Sequence, residues 1–250
     1  MQQDSFDSIA DAYEAMIDWP KRLANEEPFF RWVFDQVQAR SVLDVACGTG
    51  HHANLFRTWN LRVEGADLSE TMISHCRQQW GESGIHRWSV RRFDQPVDTP
   101  ASFDAVICTG NSLALAEDMP QVTVALQQML DAVREGGVVV VHVLNLWALP
   151  DGECIWQKCK RTPLPQGQSL IIKGVHRSGV RGYVDLLITS LETDPPTMQT
   201  RSTPFLGLQA NDLGMIATRA GAKTIEAYGG YDRSAYDRHT SRDLILVIRK

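Results

Sequence analysis

The sequence predicts a doubly wound α/β fold whose core is a mostly parallel, seven-stranded sheet. Three observations support this fold: apolar strand-like segments alternate with amphipathic helices, a continuous apolar run spans Val138–Leu144, and the first strand ends in a glycine-rich turn. Apolar runs without polar alternation are typical of strands buried on both faces, as in parallel sheets. The alternation of strands with helices then favours the doubly wound arrangement.

Seven segments are predicted to be strands of this sheet. They are Ser41–Ala46, Arg62–Leu68, part of Ile85–Phe93, Phe103–Thr109, Val138–Leu144, Lys223–Tyr228 and Asp243–Arg249. Segments with helical periodicity lie between most of these strands. They are about residues 51–59, the segment that follows the N-cap residue Ser69, the segment closed by Gly136-Gly137, and about residues 213–220.

Two further regions lie outside the predicted core, which comprises residues 41–145 and 208–250. Residues 1–40 have apolar positions at helical spacing and are predicted to form an N-terminal helical lid, with Pro20 ending its first helix. Residues 146–207 contain several prolines and no helical pattern. They are predicted to form an antiparallel β insertion that follows strand 5 and covers the substrate, with a hairpin of Ser169–His176 and Tyr183–Leu191.

Composition and charge narrow the classes of partner. The 250 residues carry a net charge of −5 without a run of Lys and Arg, which disfavours a nucleic-acid partner. The sequence contains no stretch of about eighteen apolar residues, so no membrane span is predicted. The N-terminus lacks a secretory signal pattern. The five cysteines are scattered, which predicts reduced thiols in a cytoplasmic protein. Cys154 and Cys159 have a spacing that zinc sites sometimes use, but no second pair follows, so no metal site is predicted.

The segment Val42–Gly50 carries the main functional signal. A strand that ends in Gly48-x-Gly50 lets the backbone approach a ligand closely, and the helix that follows offers free N–H groups. Asp67, at the end of the next strand, is placed to accept hydrogen bonds from ribose hydroxyls. These features predict a site for a cofactor that contains a nucleoside.

Asp44 decides between two such cofactors. The pattern Gly48-x-Gly50-x-x-Ala53 also satisfies the dinucleotide fingerprint, with Asp67 at a suitable distance. A carboxylate inside the strand before the glycines would repel a pyrophosphate, whereas it would attract a cofactor with sulfonium and ammonium groups. Asp44 therefore favours S-adenosylmethionine over NAD.

Four ordered elements within about residues 40–145 resemble the class I S-adenosylmethionine-dependent methyltransferase family. LDVACGTG (residues 43–50) is similar to its first motif and GADLSETMI (residues 65–73) to its second. Arg91–Asp94 resembles the strand end whose acidic residue binds the adenine amino group, and Phe103–Cys108 resembles the strand beside the methyl-transfer site. The resemblance implies a methyltransferase that binds S-adenosylmethionine, releases S-adenosylhomocysteine and acts on a small molecule.

Three segments are similar, more finely, to the glycine and sarcosine N-methyltransferase branch of that family. They are Cys108–Leu115, Gly229–Val247, and the N-terminal Tyr13 with Ile17–Leu23. This resemblance implies an amine acceptor, an N-terminal lid, an Arg22 that pairs with the cofactor carboxylate, and a Trp19 that packs nearby. The chain departs from the branch at residues 142–147, where His-Val-Leu-Asn-Leu-Trp replaces a His-Arg-Asn-Tyr-like stretch. The missing arginine puts glycine itself in doubt as the acceptor.

The predicted site follows from these motifs and resemblances. The predicted cofactor-binding residues are Trp19, Arg22, Asp44, Ala46, Cys47, Gly48, Thr49, Gly50, His51, Asp67, Leu68, Met72, Phe93, Asp94, Thr109, Gly110, Asn111 and Ser112. Tyr13, Asn111 and Asn145 are predicted to lie near the reacting centre, where positioning supplies most of the catalysis of an in-line displacement. Some assignments have plain alternatives: Asp94 also suits a turn, and Tyr13 also suits a core aromatic.

Other functions stay open at this point. An O- or C-methyltransferase would need a general base, for which His142 is the candidate. An NAD-dependent oxidoreductase and a non-catalytic cofactor-binding domain are further alternatives. The acceptor and the oligomeric state are not determined by these residues, and a homo-oligomer is one hypothesis.

Overall fold

The structure is a computed structural model that describes residues 10–164 and 167–250. Its helices are α1 (Ala10–Met16), α2 (Trp19–Gln36), α3 (His51–Thr58), α4 (Glu70–Trp80), α5 (Met119–Ala132) and α6 (Ala210–Arg219). Its strands are β1 (Ser41–Val45), β2 (Arg62–Asp67), β3 (His86–Val90), β4 (Phe103–Cys108), β5 (Val133–Leu144), β6 (Cys154–Leu164), β7 (Gly167–Ser178), β8 (Arg181–Ser190), β9 (Met198–Leu206), β10 (Thr224–Tyr228) and β11 (Asp243–Arg249). None of the helices in the described ranges combines the length and the apolar character needed to cross a bilayer.

Seven strands form one sheet in the order β10-β11-β5-β4-β1-β2-β3. Only β11 runs antiparallel to its neighbours, so the prediction of a doubly wound, mostly parallel seven-stranded sheet is confirmed. The chain proceeds outward from β1 in one direction to β2 and β3, and then resumes on the other side with β4. Ligands of open α/β sheets bind at such a switch point, beyond the carboxyl ends of the strands.

Burial explains why the central strands form where they do. All five residues of β1 are buried, and residues 138–141 of β5 are four consecutive buried valines. Helix α4 begins after Ser69, whose hydroxyl accepts a hydrogen bond from the Met72 N–H at 3.1 Å, as the N-cap prediction requires. The sheet therefore has apolar cover on both faces, and its polar residues concentrate at the strand ends.

The passage from α5 to β5 differs from the prediction. The sequence placed Gly136 and Gly137 at the end of the helix, but α5 ends at Ala132 and β5 begins at once with Val133. Both glycines lie within the strand, where its pairing with β4 is irregular and Gly136 has φ +74°. A Cβ on Gly137 would lie 2.7 Å from the Asp104 carbonyl oxygen, so Gly137 serves a close backbone approach, whereas Gly136 serves the positive φ.

The chain divides into two compact units. One boundary between them falls after Asp18, within residues 1–40, the segment predicted to be a lid. Helix α1 belongs with residues 146–207, whereas α2 belongs with residues 19–145 and 208–250. Phe29, Phe30 and Phe34 of α2 are buried in the hydrophobic core of that larger unit. The function of residues 1–40 as a lid stays a prediction.

The smaller unit is built on a four-stranded antiparallel sheet in the order β6-β7-β8-β9. Its centre is the predicted hairpin, in which β7 and β8 pair from Ser169 opposite Ser190 to Ser178 opposite Arg181. Helix α1 packs Ala12 and Met16 against the buried side chains of that hairpin. Strands β6 and β9 extend the sheet beyond what the sequence predicted.

Candidate functional site

A tight turn, residues 46–50, follows β1 and is called here the glycine loop. Gly48 and Gly50 have φ values of +55° and +78°, which favour glycine. The Asp67 carboxylate at the end of β2 accepts hydrogen bonds from Gly48 N–H at 2.8 Å and from Ser69 N–H at 2.9 Å. Asp67 therefore links the glycine loop to the start of α4.

The two glycines have different surroundings. A Cβ on Gly50 would lie 2.7 Å from the Trp88 ring and 2.9 Å from the Cys76 sulfur, so protein atoms fill that space. A Cβ on Gly48 would meet no atom of the described chain within 4 Å. Gly50 thus serves the packing of the loop, while Gly48 faces open space into which a ligand would fit.

Asp44 is the most unusual group near the loop. Its side chain is 1% exposed, and neither carboxylate oxygen has a hydrogen-bond partner among the described residues. The Ala53 N–H is near enough to influence the carboxyl group electrostatically but lies outside hydrogen-bond geometry. Burial raises the pKa of Asp44 well above its usual value, the negative Asp67 adds to this effect, and Arg22 opposes it.

A polar network on α2 and α3 lies beside Asp44. Arg22 Nε donates to Glu26 Oε1 at 2.8 Å, and His52 Nε2 lies 2.5 Å from Glu26 Oε2. Burial lowers the pKa of His52, while the hydrogen bond to Glu26 and the charge of Glu26 act in the opposite direction. Burial alone would raise the pKa of Glu26, but the hydrogen bond and charge of His52, together with Arg22, lower it to about 2. Glu26 is therefore ionised and fixes the Arg22 guanidinium.

Trp19 covers this network. Its ring stacks on the His51 imidazole with centroids 4.1 Å apart, and the Arg22 guanidinium lies 5.0 Å from the ring centroid. The Trp19 Nε1 group is buried and has no hydrogen-bond partner within the described chain. The structure thus brings the predicted residues Trp19, Arg22 and His51 together with Asp44.

Two more unpartnered polar atoms lie close to the same network. The Tyr231 hydroxyl is near Arg22 but outside hydrogen-bond geometry, and burial, followed by Glu26, raises the pKa of Tyr231 well above its usual value. The Tyr231 ring lies 5.3 Å from the His142 ring, whose Nε2 is 3.2 Å from Asp243 Oδ1 without forming a hydrogen bond of good geometry. Buried polar atoms are nearly always satisfied in folded proteins, so this concentration indicates a site for a polar ligand.

The end of β4 forms another wall of the site. Thr109 and Asn111 are buried, and Gly110 has φ +72°. A Cβ on Gly110 would lie 3.7 Å from Arg22 Nη2, which places this strand end beside the Arg22 network. Ser112 is turned back by its own hydrogen bond to the Thr109 carbonyl oxygen at 2.8 Å.

Two predicted catalytic groups have their functional atoms in use at this wall. The Gly110 N–H donates to His142 Nδ1 at 3.2 Å, so the Nδ1 lone pair is engaged. Asn111 Oδ1 accepts a hydrogen bond from the Leu144 N–H at 3.0 Å. Both side chains therefore hold the end of β4 against the end of β5.

The remaining predicted residues lie at neighbouring strand ends. Leu68 and Met72 follow β2, with Met72 buried. Phe93 and Asp94 follow β3, and Asp94 already accepts hydrogen bonds from Arg92 at 2.9 and 2.8 Å and from Gln121 at 2.8 Å. The Arg92 hydrogen bonds hold the pKa of Asp94 below its usual value, so this carboxylate is ionised. Its predicted contact with adenine stays a prediction, as do the other site assignments.

Asn145 has a different environment from the one predicted for a catalytic group. Its Nδ2 donates to the carbonyl oxygens of Arg238 at 2.9 Å and Ser241 at 2.7 Å, and its Oδ1 accepts from the Tyr236 hydroxyl at 3.1 Å. The buried amide therefore fastens the loop between β10 and β11. The side chain of Tyr13, another predicted catalytic residue, lies outside the described part of the structure, although its backbone lies in α1.

The substitution Asn145→Ala is expected to destabilise the protein by about 2–4 kcal/mol, because it leaves buried carbonyl groups without donors. Urea denaturation of the variant and the wild type measures this difference. We expect kcat at temperatures where the variant is folded to stay near that of the wild type. Unchanged stability combined with a large loss of kcat would instead place Asn145 at the reacting centre.

Sequence reasoning did not include four residues of this site. Glu26, His52, Tyr231 and Asp243 complete the polar network. The Arg22–Glu26 spacing of four residues on α2 gave a local signal, and Tyr231 and Asp243 lie in the segment Gly229–Val247, whose resemblance did not assign them a role. His52, Tyr231 and Asp243 come from distant segments, and the folded sheet brings them together.

The central segment is similar to known methyltransferases. Residues 42–137 match the family model of a methyltransferase domain. The chain is 28% identical to the glycine N-methyltransferase of Homo sapiens over 166 residues, which cover 58% of this chain and 56% of that protein. It is 34% identical over 117 residues, 46% of this chain and 43% of the relative, to a dTDP-4-amino-2,3,4,6-tetradeoxy-D-glucose N,N-dimethyltransferase of Saccharopolyspora spinosa. The chain thus spans about half the length of the curated relatives it matches.

A solved structure extends the comparison of the fold to nearly the whole chain. An amino pentose methyltransferase from Micromonospora echinaspora, solved with bound S-adenosylmethionine, superposes with a TM-score of 0.74 at 20% identity. The match covers 96% of this chain and 97% of that chain. The fold is therefore that of the class I methyltransferases.

Proposed function

We propose that this chain transfers a methyl group from S-adenosylmethionine to the amino group of a small molecule. The premise is the match of residues 42–137 to a methyltransferase domain, on the class I fold. The observation that carries the proposal is the Asp44 carboxylate, which is buried without a hydrogen-bond partner among the described residues and is close enough to Arg22 for their charges to interact. A ligand that presents an ammonium and a carboxylate would complement both groups. The methionine portion of the cofactor has these two charges.

The residues present fit the remainder of this cofactor as well. Gly48 leaves open space at the glycine loop, and Asp67 fixes the loop from the end of β2. The Asp67 carboxylate at the end of β2 is a hydrogen-bond acceptor of the kind that a ribose hydroxyl requires. A pyrophosphate in the same place would meet Asp44 and Asp67, which supports the choice of S-adenosylmethionine over NAD.

The bound cofactor supplies a sulfonium methyl group that is open to in-line attack by a nucleophile. The contribution of the chain is to hold the acceptor and to exclude water. Orientation of this kind contributes about 7–11 kcal/mol to lowering a barrier. Arg22 and Asp44 orient one end of the cofactor, while Gly110, held by His142, shapes the strand end that faces it. An amine acceptor reaches the site as the free base, so proton abstraction by the enzyme is not required.

An amine acceptor is supported by the relatives, whose names describe methylation of glycine and of amino sugars. The general-base alternative would require His142 to release the Gly110 N–H or to use Nε2, which is buried beside Asp243. The observed hydrogen bond therefore favours a positioning role for His142. The lid role of residues 1–40, the substrate-covering role of residues 146–207 and a cytoplasmic location belong to the same proposal.

Isothermal titration with S-adenosylhomocysteine, with NADH as the parallel control, tests the cofactor assignment. We expect micromolar binding of the first and no binding of the second. A methyl-transfer assay with glycine, sarcosine, amino sugars, phenols and carboxylic acids then tests the acceptor class, and we expect turnover with an amine. Binding of NADH alone would contradict the assignment of Asp44, and turnover restricted to oxygen acceptors would favour the general-base alternative. Binding of S-adenosylhomocysteine without turnover of any acceptor would support the alternative of a non-catalytic cofactor-binding domain.

A further inference from the structure

Three potential metal ligands meet on the antiparallel sheet of the smaller unit. Cys154 on β6, His176 on β7 and Asp185 on β8 offer a sulfur, a nitrogen and an oxygen that lie within 4.8 Å of one another. His176 Nδ1 is 2.6 Å from Asp185 Oδ2, and Cys154 Sγ is 3.9 Å from the same oxygen. These distances define the cluster called here the sheet triad.

The strand register holds the sheet triad together. Cys154 pairs directly with His176 across β6 and β7, and Asp185 of β8 pairs with Gly174, two residues from His176 along β7. A Cβ on Gly174 would lie 2.6 Å from Cys154 Sγ, so the glycine leaves the room that the sulfur occupies. The Tyr183 ring stacks on the His176 imidazole with centroids 4.7 Å apart and fixes its orientation.

The arrangement does not fit a nucleophilic triad. In such a triad the sulfur and the carboxylate contact opposite nitrogens of the imidazole, so that the carboxylate orients the base. Here Asp185 Oδ2 binds His176 Nδ1, and the Cys154 sulfur approaches the same carboxylate oxygen. The nitrogen and the sulfur both approach one carboxylate oxygen, and three potential ligand atoms this close together suit coordination of a cation.

We propose that the sheet triad binds one zinc-like divalent transition metal, with water in the open position. Zinc accepts thiolate, imidazole and carboxylate ligands in tetrahedral geometry. Its bond lengths imply a nitrogen–oxygen separation of roughly 3.3 Å and a sulfur–oxygen separation of roughly 3.6 Å. The observed separations of 2.6 and 3.9 Å lie on either side of these values, so small side-chain rotations reach the required geometry.

Charge balance supports a divalent ion. One thiolate, one carboxylate and one neutral imidazole carry two negative charges, which the ion neutralises. Binding releases the thiol proton of Cys154, so binding strengthens as the pH rises. The side chains of His176 and Asp185 are 29% and 24% exposed, and Cys154 is exposed, so the ion has a path from solvent.

The role of the metal would be to join three adjacent strands at one end of the sheet. Strand β6 is exposed along most of its length and lies at an edge. A coordinate bond from Cys154 to an ion held by β7 and β8 would fasten this edge. The site is independent of the proposed methyl transfer, since all three ligands belong to the smaller unit.

Cobalt titration of the untagged, reduced 250-residue protein tests the proposal. We expect one equivalent of Co²⁺ to bind with a thiolate-to-cobalt charge-transfer band, and Zn²⁺ to displace it. Cys154→Ser is expected to abolish the band, while Cys159→Ser retains it. Cys159 is the matched control because it is also exposed and on β6 but pairs with Ile172, away from the sheet triad.

Asp185→Asn provides a second variant that keeps the size of the side chain. We expect it to weaken Zn²⁺ binding at least tenfold, a loss typical of disturbed metal sites. Circular dichroism without metal confirms that each variant is folded. A band that survives in Cys154→Ser, a band lost in Cys159→Ser, or no stoichiometric binding by the wild type would overturn the proposal. Binding of S-adenosylhomocysteine, measured on the same samples, tests the proposed function separately.

Discussion

Replacing Asp44 with asparagine is expected to lower the affinity for S-adenosylhomocysteine at least 100-fold and to stabilise the ligand-free protein. The affinity falls because the ligand ammonium loses the buried carboxylate that would neutralise it, and removing one partner of a buried charge pair costs about 3–5 kcal/mol. Isothermal titration measures this loss. Asparagine keeps the shape of the side chain, so the effect reports the charge.

The stability gain has a defined pH dependence. Burial raises the pKa of Asp44 above its usual value of 3.8, so ionisation disfavours the ligand-free folded state. The stabilising contribution of the protonated Asp44 carboxyl group is fully present below pH 3.8 and is lost as the pH rises through the raised pKa. We therefore expect Asp44→Asn to match the wild type in acid and to exceed its melting temperature by at least about 2 °C near neutral pH.

Asp104→Asn is the matched control for this variant. The Asp104 carboxylate accepts hydrogen bonds from the backbone N–H groups of Arg40 and Ser41 at 2.8 and 2.9 Å and pairs with Arg134 at 2.5 Å. Burial alone would raise the pKa of Asp104, but these partners lower it. The control should therefore lose about 1–3 kcal/mol of stability, with unchanged ligand affinity. Equal affinity of Asp44→Asn and the wild type would contradict the assignment of the ammonium to Asp44.

The second large effect is expected from Gly48→Ala, which should weaken binding of S-adenosylhomocysteine at least tenfold. The added methyl group would enter the open space at the glycine loop, where no atom of the described chain beyond the adjacent residues lies within 4 Å. The positive φ of +55° adds a folding cost of about 1–2 kcal/mol. Titration calorimetry and thermal denaturation separate the two effects.

Gly81→Ala controls for the backbone strain. Gly81 caps the end of α4 with φ +70° and ψ 179°, and no atom of the described chain lies within 4 Å of an added Cβ, so the substitution adds backbone strain without filling the glycine loop. We expect the Gly81 variant to bind S-adenosylhomocysteine like the wild type. If both variants bound equally well, the open space at Gly48 would not be the ligand site.

Much of the larger unit was predictable because its signals are local. The valines of β5 indicated a strand buried on both faces, and the structure places that strand inside a mostly parallel sheet. Asp44, Gly48 and Gly50 lie within seven residues, so one strand and one turn fix their arrangement. The ends of adjacent parallel strands then bring Asp67 to the same edge, because Asp67 ends the strand next to β1.

Other elements gave no readable pattern. Strand β6 is exposed at nearly every position, so it lacks the alternation that marks a half-buried strand. The glycines of β5 resemble a helix end, but the close approach of the Asp104 carbonyl explains Gly137, and the positive φ within the strand explains Gly136. In both cases the decisive contact is with a neighbouring strand.

The sequence by itself determined the doubly wound sheet, the glycine loop and the acidic residues at the ends of β1 and β2. Only the tertiary structure decided that Glu26 holds both Arg22 and His52, that Asn145 fastens a loop some ninety residues away, and that Cys154, His176 and Asp185 meet. Periodicity and turn signals reflect the geometry of one helix or strand. The pairing of distant polar groups depends instead on which strands become neighbours and on how burial forces each charged group to find a partner.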